Sequence, residues 1–152
     1  MSLCQRVGLI SCVKEKADSV RTAEDLYVSP YFRKMRHFVE ATCDGWRILS
    51  AKYGLVDPST TLEPYEMTLK TMKRLERRAW AERVASQLQA EFPRPGEVTF
   101  ELHAGREYSR DLVPLLKTLG YAVEEPVPSL SFGKRLQWYD RNTPARREKA
   151  TD

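Results

Sequence analysis

The sequence predicts an α/β domain, a single three-layer unit built on a mostly parallel four-stranded sheet. Three observations predict it. Short apolar runs of strand length alternate with longer segments whose apolar residues recur at helical spacing. Each pair of strand-like runs is separated by a helix, which calls for parallel crossovers rather than hairpins. The chain has 152 residues, one ordinary domain with room for a real core. The domain is expected over residues 1–143, followed by a basic, frayed tail over 144–152.

The elements follow in order. Arg6 to Ser11 is a short apolar run ending in small polar residues, a buried strand, and Cys12 to Glu24 is polar and aperiodic, a loop. Ser29-Pro30 starts a helix, with serine as cap and proline at the first helical position; Phe32, Met35 and Val39 carry it to about Thr42. Asp44-Gly45 turns the chain into a second strand, Trp46 to Ser50. Ala51 to Tyr65 is a loop broken by Asp57-Pro58 and Glu63-Pro64. A long helix is expected from about Thr68 to Glu91, with Leu69, Met72, Ala79, Val84 and Leu88 along its stripe. The third strand is Glu97 to His103, where Val98, Phe100 and Leu102 alternate. A helix from Ala104-Gly105 to Leu119 contains Pro114, which either kinks it or marks its start. Gly120 suits the position after a helix end. Tyr121 to Glu125 is the fourth strand and Ser131 to Arg141 the last helix.

Composition excludes several classes. No stretch approaches the ~20 apolar residues of a membrane span, and the amino terminus lacks the long apolar region of a signal peptide. Cys4, Cys12 and Cys43 are odd in number and widely spaced, which points to reduced thiols and a cytoplasmic location. His37 and His103 are too few and too scattered for a zinc site, so no metal and no cofactor are expected. The net charge of +4 leans toward polyanionic partners. Basic residues cluster at Arg33 to Arg36, Lys70 to Arg78 and Lys134 to Lys149, which serve equally as solvated helix faces.

Ligands of open α/β sheets bind outside the carboxyl ends of the strands, near the point where strand order reverses. That rule selects the loops that begin at Ser11-Cys12, Ser50-Ala51-Lys52-Tyr53-Gly54 and His103-Ala104-Gly105-Arg106. Lys14, Lys16 and Lys52 suit a phosphate or an activated nucleophile, and equally an ordinary charged surface. Cys12 in a basic loop is a nucleophile or, more simply, a buried structural thiol. The backbone at Ala104-Gly105 suits an anion, with His103 donating to a bound base or packing in the core. In Glu63-Pro64-Tyr65, tyrosine suits stacking on a nucleobase and Glu63 suits activating water; the pair also suits an anchored loop. Ser129-Leu130-Ser131, followed by Lys134, reads either as a phosphate-pinching tip that inserts leucine into a base stack or as a helix cap with a hydrophobic staple.

Several of these segments together resemble a family of small bacterial and phage domains without assigned function. They are Leu9 to Lys16 (LISCVKEK), Asp25-Leu26-Tyr27 with Ser29, Phe32 and Arg33, and Ser50 to Val56 (SAKYGLV) with Glu63-Pro64-Tyr65. That family is distantly similar to the YaaA peroxide-stress proteins, which share a Tyr-Gly-Leu then Pro-Tyr pattern and are linked with DNA binding. Related domains are associated with base modification and with glycosylases that remove modified bases, including in phage defence. Pro128-Ser129-Leu130-Ser131 also resembles the leucine-insertion loop of uracil-DNA glycosylases, whose core is a similar four-stranded parallel sheet. The chain departs from them in lacking a Gly-Gln-Asp-Pro-Tyr motif and a histidine before Pro128, so their catalytic groups do not carry over.

The resemblance implies a DNA glycosylase-like hydrolase that acts on a modified base in DNA. Glu63 and Lys14 are its candidate catalytic groups. Cys12, Ser50, Tyr53, Gly54, Tyr65, His103 and Gly105 would surround the base. Lys16, Lys52, Arg106, Ser129, Leu130, Ser131 and Lys134 would meet the DNA. The alternatives are a non-catalytic YaaA-like DNA-binding protein and an enzyme acting on a free nucleotide or nucleoside.

Overall fold

A computed structural model describes residues 4–11, 19–27, 29–65 and 67–144. The elements are β1 (Gln5–Ser11), β2 (Arg21–Thr22), α1 (Ala23–Leu26), α2 (Pro30–Thr42), β3 (Gly45–Ser50), β4 (Gly54–Val56), β5 (Thr61–Leu62), α3 (Arg74–Glu91), β6 (Val98–His103), α4 (Arg106–Thr118), β7 (Ala122–Glu124) and α5 (Phe132–Asn142). They form a mixed α/β domain around a five-stranded sheet in the order β4-β3-β1-β6-β7. The four strands foreseen from sequence are mutually parallel neighbours, with Ile10 level with both Ile48 and His103.

The fifth strand, β4, was hidden in the expected 51–65 loop. It pairs antiparallel with β3, Ser50 opposite Gly54, and closes the sheet edge with three residues, too short a run to show a period. β2 and β5 form a separate antiparallel ribbon, Arg21 opposite Leu62. This ribbon and the one-turn α1 also fall in segments that read as loop.

Two further expectations are corrected. The helix expected from Thr68 is interrupted: Leu69–Thr71 is a 3-10 turn capped by the Thr68 hydroxyl, and α3 begins at Arg74. The face of α3 that is buried holds Trp80, Ala81, Val84, Ala85 and Leu88, whereas Ala79 is exposed. Pro114 lies within α4, not at its start. Elsewhere the local chemistry acts as read. The Ser29 hydroxyl accepts the Phe32 amide at 3.3 Å beneath Pro30. Gly120 takes the left-handed φ of +95° after α4, where a side chain would be strained.

The sheet is covered on both faces. α2 packs on β1 and β3 and against α5, and α3 packs on β4 and against α4. Strand alternation assigns side chains to these layers. Gly8 faces α2, where an added Cβ would lie 2.6 Å from Val39 Cγ1. Glu101 and His103 are level with Gly8 and Ile10 and share that face. On the other face, Phe100 packs with Phe92 and Tyr121. β1 lies between β3 and β6, so strand order reverses there and the carboxyl ends of all three stand side by side. No helix among the described residues is long and apolar enough to cross a membrane.

Candidate functional site

The turn from Ser50 to Leu55 leaves the sheet at this end, and side chains of α3 bind four polar groups of its backbone. Trp80 Nε1 donates to the Ser50 carbonyl at 2.8 Å. The Arg83 guanidinium donates to the Lys52 and Tyr53 carbonyls, each at 3.1 Å. Gln87 Oε1 accepts the Leu55 amide at 2.9 Å. Residues 80, 83 and 87 lie on one helical face, so a single rigid element fixes the whole turn. Gly54 makes the turn possible: its φ is +73°, and a Cβ there would lie 2.4 Å from Gln87 Oε1. The result is a stiff loop that presents Lys52 to solvent, its Nζ 5.2 Å from the centre of the half-buried Tyr53 ring.

Beneath the loop, three buried hydroxyls meet. Tyr65 lies 2.7 Å from Ser50 Oγ and 2.5 Å from the Tyr27 hydroxyl. Ser50 Oγ also accepts the Tyr53 amide at 3.1 Å. The rings of Tyr27 and Tyr53 both stand edge-on to Tyr65, the latter at 5.4 Å. The β2–β5 ribbon explains the meeting, because it ties the strand before Tyr65 to the strand that leads into α1 and Tyr27. Each hydroxyl can donate or accept, so the chain Tyr27–Tyr65–Ser50 can reverse its direction of donation without moving a heavy atom. Glu63, two residues before Tyr65, is exposed.

Tyr27 also borders a cleft of about 420 Å³ between the ribbon, α1 and α2. Arg21, Arg33 and Arg36 line it together with Glu24 and Asp25. Arg36 is held by Glu24, Asp25 and Glu40. Arg21 and Arg33 have no carboxylate partner among the described residues. Two of the three arginines that line the cleft are thus not engaged by a carboxylate of the described residues, and a phenol stands at one side.

A model of a family of unknown function, DUF6884, matches residues 7–141. The chain belongs to that family. No curated protein and no solved structure matches the chain. The matched span includes every segment that meets around Tyr65.

In this DUF6884 domain the third strand-end loop is built differently. His103 is buried, with Nδ1 2.7 Å from the Tyr139 hydroxyl and Nε2 2.7 Å from Glu101 Oε1. Arg6 Nε donates to the other Glu101 oxygen at 2.5 Å and its Nη2 reaches Glu124. Burial pushes the Glu101 carboxyl up, but the hydrogen bonds from His103 and Arg6 outweigh it and hold it below the usual range. Burial, reinforced by Glu101, pushes the nearby Cys43 thiol up to about 11, so it stays protonated. Burial likewise raises the Tyr139 phenol, which keeps its proton. The cluster ties α5 and β7 to the sheet centre, and both ring nitrogens of His103 are engaged within it.

Gly105 caps α4 by its backbone and Arg106 is exposed at the helix start. Ser131 precedes α5 without a side-chain cap; Ser129, Ser131 and Lys134 are exposed. Leu130 is half-buried and its carbonyl accepts from Arg135 Nε at 3.1 Å. Cys12, Lys14 and Lys16 lie outside the described residues, as does the chain beyond Pro144. Cys4 and Cys43 are free thiols. No group of three or more His, Cys, Asp or Glu among the described residues could hold a metal ion.

Of the residues expected to surround a base, Ser50, Tyr53, Gly54 and Tyr65 do lie together in the fold, but what holds them was missed. Trp80, Arg83 and Gln87 recur at helical spacing, yet they sit among charged residues that disguise the face. Tyr27 and Arg33 stood in a motif with no role attached.

Proposed function

We propose that this domain is a DNA glycosylase-like hydrolase that excises a modified nucleobase, with the modified genomes of phage as its target in defence. The observation that supports the reading best is the convergence of three separated motifs on one hydroxyl chain beside a cleft in which Arg21 and Arg33 carry no carboxylate partner among the described residues. The sheet's four adjacent parallel strands are compatible with the uracil-DNA glycosylase core that the sequence resembles.

In this reading an extruded base stacks on Tyr53, at an unstacking cost of a few kcal/mol. Lys52 and Arg106 neutralise flanking phosphates. Glu63 takes a proton from water as the water oxygen bonds to the sugar carbon. The bond to the base nitrogen breaks, and the base leaves with that electron pair and gains a proton. The Tyr27–Tyr65–Ser50 chain orients the base and is suited to pass that proton. Lys14 is the other candidate for assistance.

The test incubates the protein with duplexes and phage DNAs carrying different modified bases, followed by hot alkali and a denaturing gel. Strand breaks confined to one modified substrate are expected. Glu63→Gln should then slow excision by roughly 10²–10⁴-fold, the usual contribution of a positioned general base. Intact strands with salt-sensitive DNA binding would instead favour a YaaA-like binding role. Intact strands with tight mononucleotide binding would favour an enzyme of free nucleotides.

A further inference from the structure

Two clefts flank the amino-terminal half of α2. The first is the cleft of about 420 Å³ beside Tyr27; the second, of about 360 Å³, lies between α2 and α5. Arg33 lines both. In the second cleft Lys34 is taken up by Asp140, as Arg36 is taken up by its three carboxylates in the first. Among the described residues, Arg21 and Arg33 are left with their charge available for an outside anion. Neighbouring phosphates of one strand are the simplest anions to occupy two clefts that share an arginine.

At the start of α5, the helix whose Tyr139 and Asp140 line the second cleft, an aromatic ring is held open to water. Phe132, at the first position of α5, is 64% exposed, among the most exposed large apolar side chains described. It is not loose: its ring centre lies 5.3 Å from that of Tyr31, which stands edge-on to buried Tyr139 at 6.1 Å. A supported, largely exposed ring on the same stretch of α2 and α5 as an unpaired arginine is the kind of arrangement that stacks a nucleobase while a cation holds the backbone.

We propose that a single nucleic-acid strand crosses the amino-terminal half of α2, with phosphates at Arg21 and Arg33 and a base stacked on Phe132. The proposal rests on the nucleic-acid part of the reading above and not on its chemistry. It assigns the stacking contact on this face to Phe132, whereas its neighbour Leu130 is half-buried.

Fluorescence anisotropy with a labelled mixed-sequence single-stranded oligonucleotide tests it. Arg33→Gln should lower the slope of log K against log salt by about 0.7, one phosphate contact on a single strand. Phe132→Ala should weaken binding roughly tenfold with the slope unchanged, the usual loss of one stacked base. Arg94→Gln removes an exposed charge before β6, at the opposite end of the sheet, and should change neither. The proposal is overturned by absent binding, by equal effects of Arg33→Gln and Arg94→Gln, or by unchanged affinity in Phe132→Ala. Polyglutamate binding as sensitive to Phe132→Ala as oligonucleotide binding would reassign the face to an acidic protein and overturn it too. Missing strand breaks together with the expected binding changes would remove the glycosylase reading and leave the strand path standing.

Discussion

Two polar networks stand on the same face of the sheet and differ in kind. The one at the end of β3 is neutral, made of the hydroxyls of Ser50, Tyr65 and Tyr27. The one across β6 is ionic, running from Glu124 through Arg6, Glu101 and His103 to Tyr139. A neutral network loses little when one hydrogen bond is exchanged for another, so it can rearrange around a ligand. An ionic network that loses a member leaves a charge without its partner in low dielectric, which is strongly unfavourable. The first suits a working site and the second suits a clamp. Their different positions agree with this: the hydroxyls underlie an exposed loop and border a cleft, whereas the charges bridge α5, β1, β6 and β7.

The largest effect should come from the clamp. Glu101→Leu removes the one side chain that serves both Arg6 and His103, and should cost roughly 3 kcal/mol, the low end for breaking a buried pair because Arg6 is partly exposed. Urea denaturation measures it, and a loss below 1 kcal/mol would mean that the network contributes little. The same group predicts an acid limb. Its carboxyl sits lower in the fold than its unfolded value near 4.5, so its contribution is fully present above that pH and fades as the pH falls toward the folded value. Urea midpoints measured between pH 3 and 7 should show a steeper acid decline for the native chain than for Glu101→Gln.

The next effect belongs to the loop. Gly54→Ala places a Cβ at a left-handed φ and against Gln87 Oε1, and should cost about 1–2 kcal/mol. The change should also lower DNA affinity, because the turn that presents Lys52 and Tyr53 shifts. Unchanged melting and unchanged binding would show that the turn is not rigid.

The smallest change in stability should come from Tyr65→Phe, about 1 kcal/mol, since the ring stays and only one hydroxyl is removed. If the neutral network is the working site, excision falls far more than stability does, and DNA affinity is nearly kept. Equal modest losses in all three measurements would make it a structural network like the other.

Much of this architecture was legible because it rests on local chemistry. Ser29-Pro30 specified the start of α2, Gly120 the end of α4, and the alternation of Val98, Phe100 and Leu102 a strand. The loops at strand ends followed from strand order in parallel sheets. β4 was not legible, since three residues cannot display a period and their pairing depends on a turn fixed by α3. The interruption before α3 was not legible either, because Leu69 is buried in a 3-10 turn whose spacing mimics a helix.

The sequence by itself determined the four parallel strands, the helices between them and the end of the sheet at which β1, β3 and β6 finish side by side. These follow from the spacing of apolar residues and from caps, which act between near neighbours. Only the tertiary structure decided which polar residues became partners. Glu101 and His103 are two apart and share a face in any strand, but Arg6 and Tyr139 come from distant parts of the chain. Tyr27, Ser50 and Tyr65 likewise meet through a ribbon of two-residue strands that no local signal marks. Buried polar groups must find hydrogen-bond partners, and which partner each finds depends on how whole layers dock.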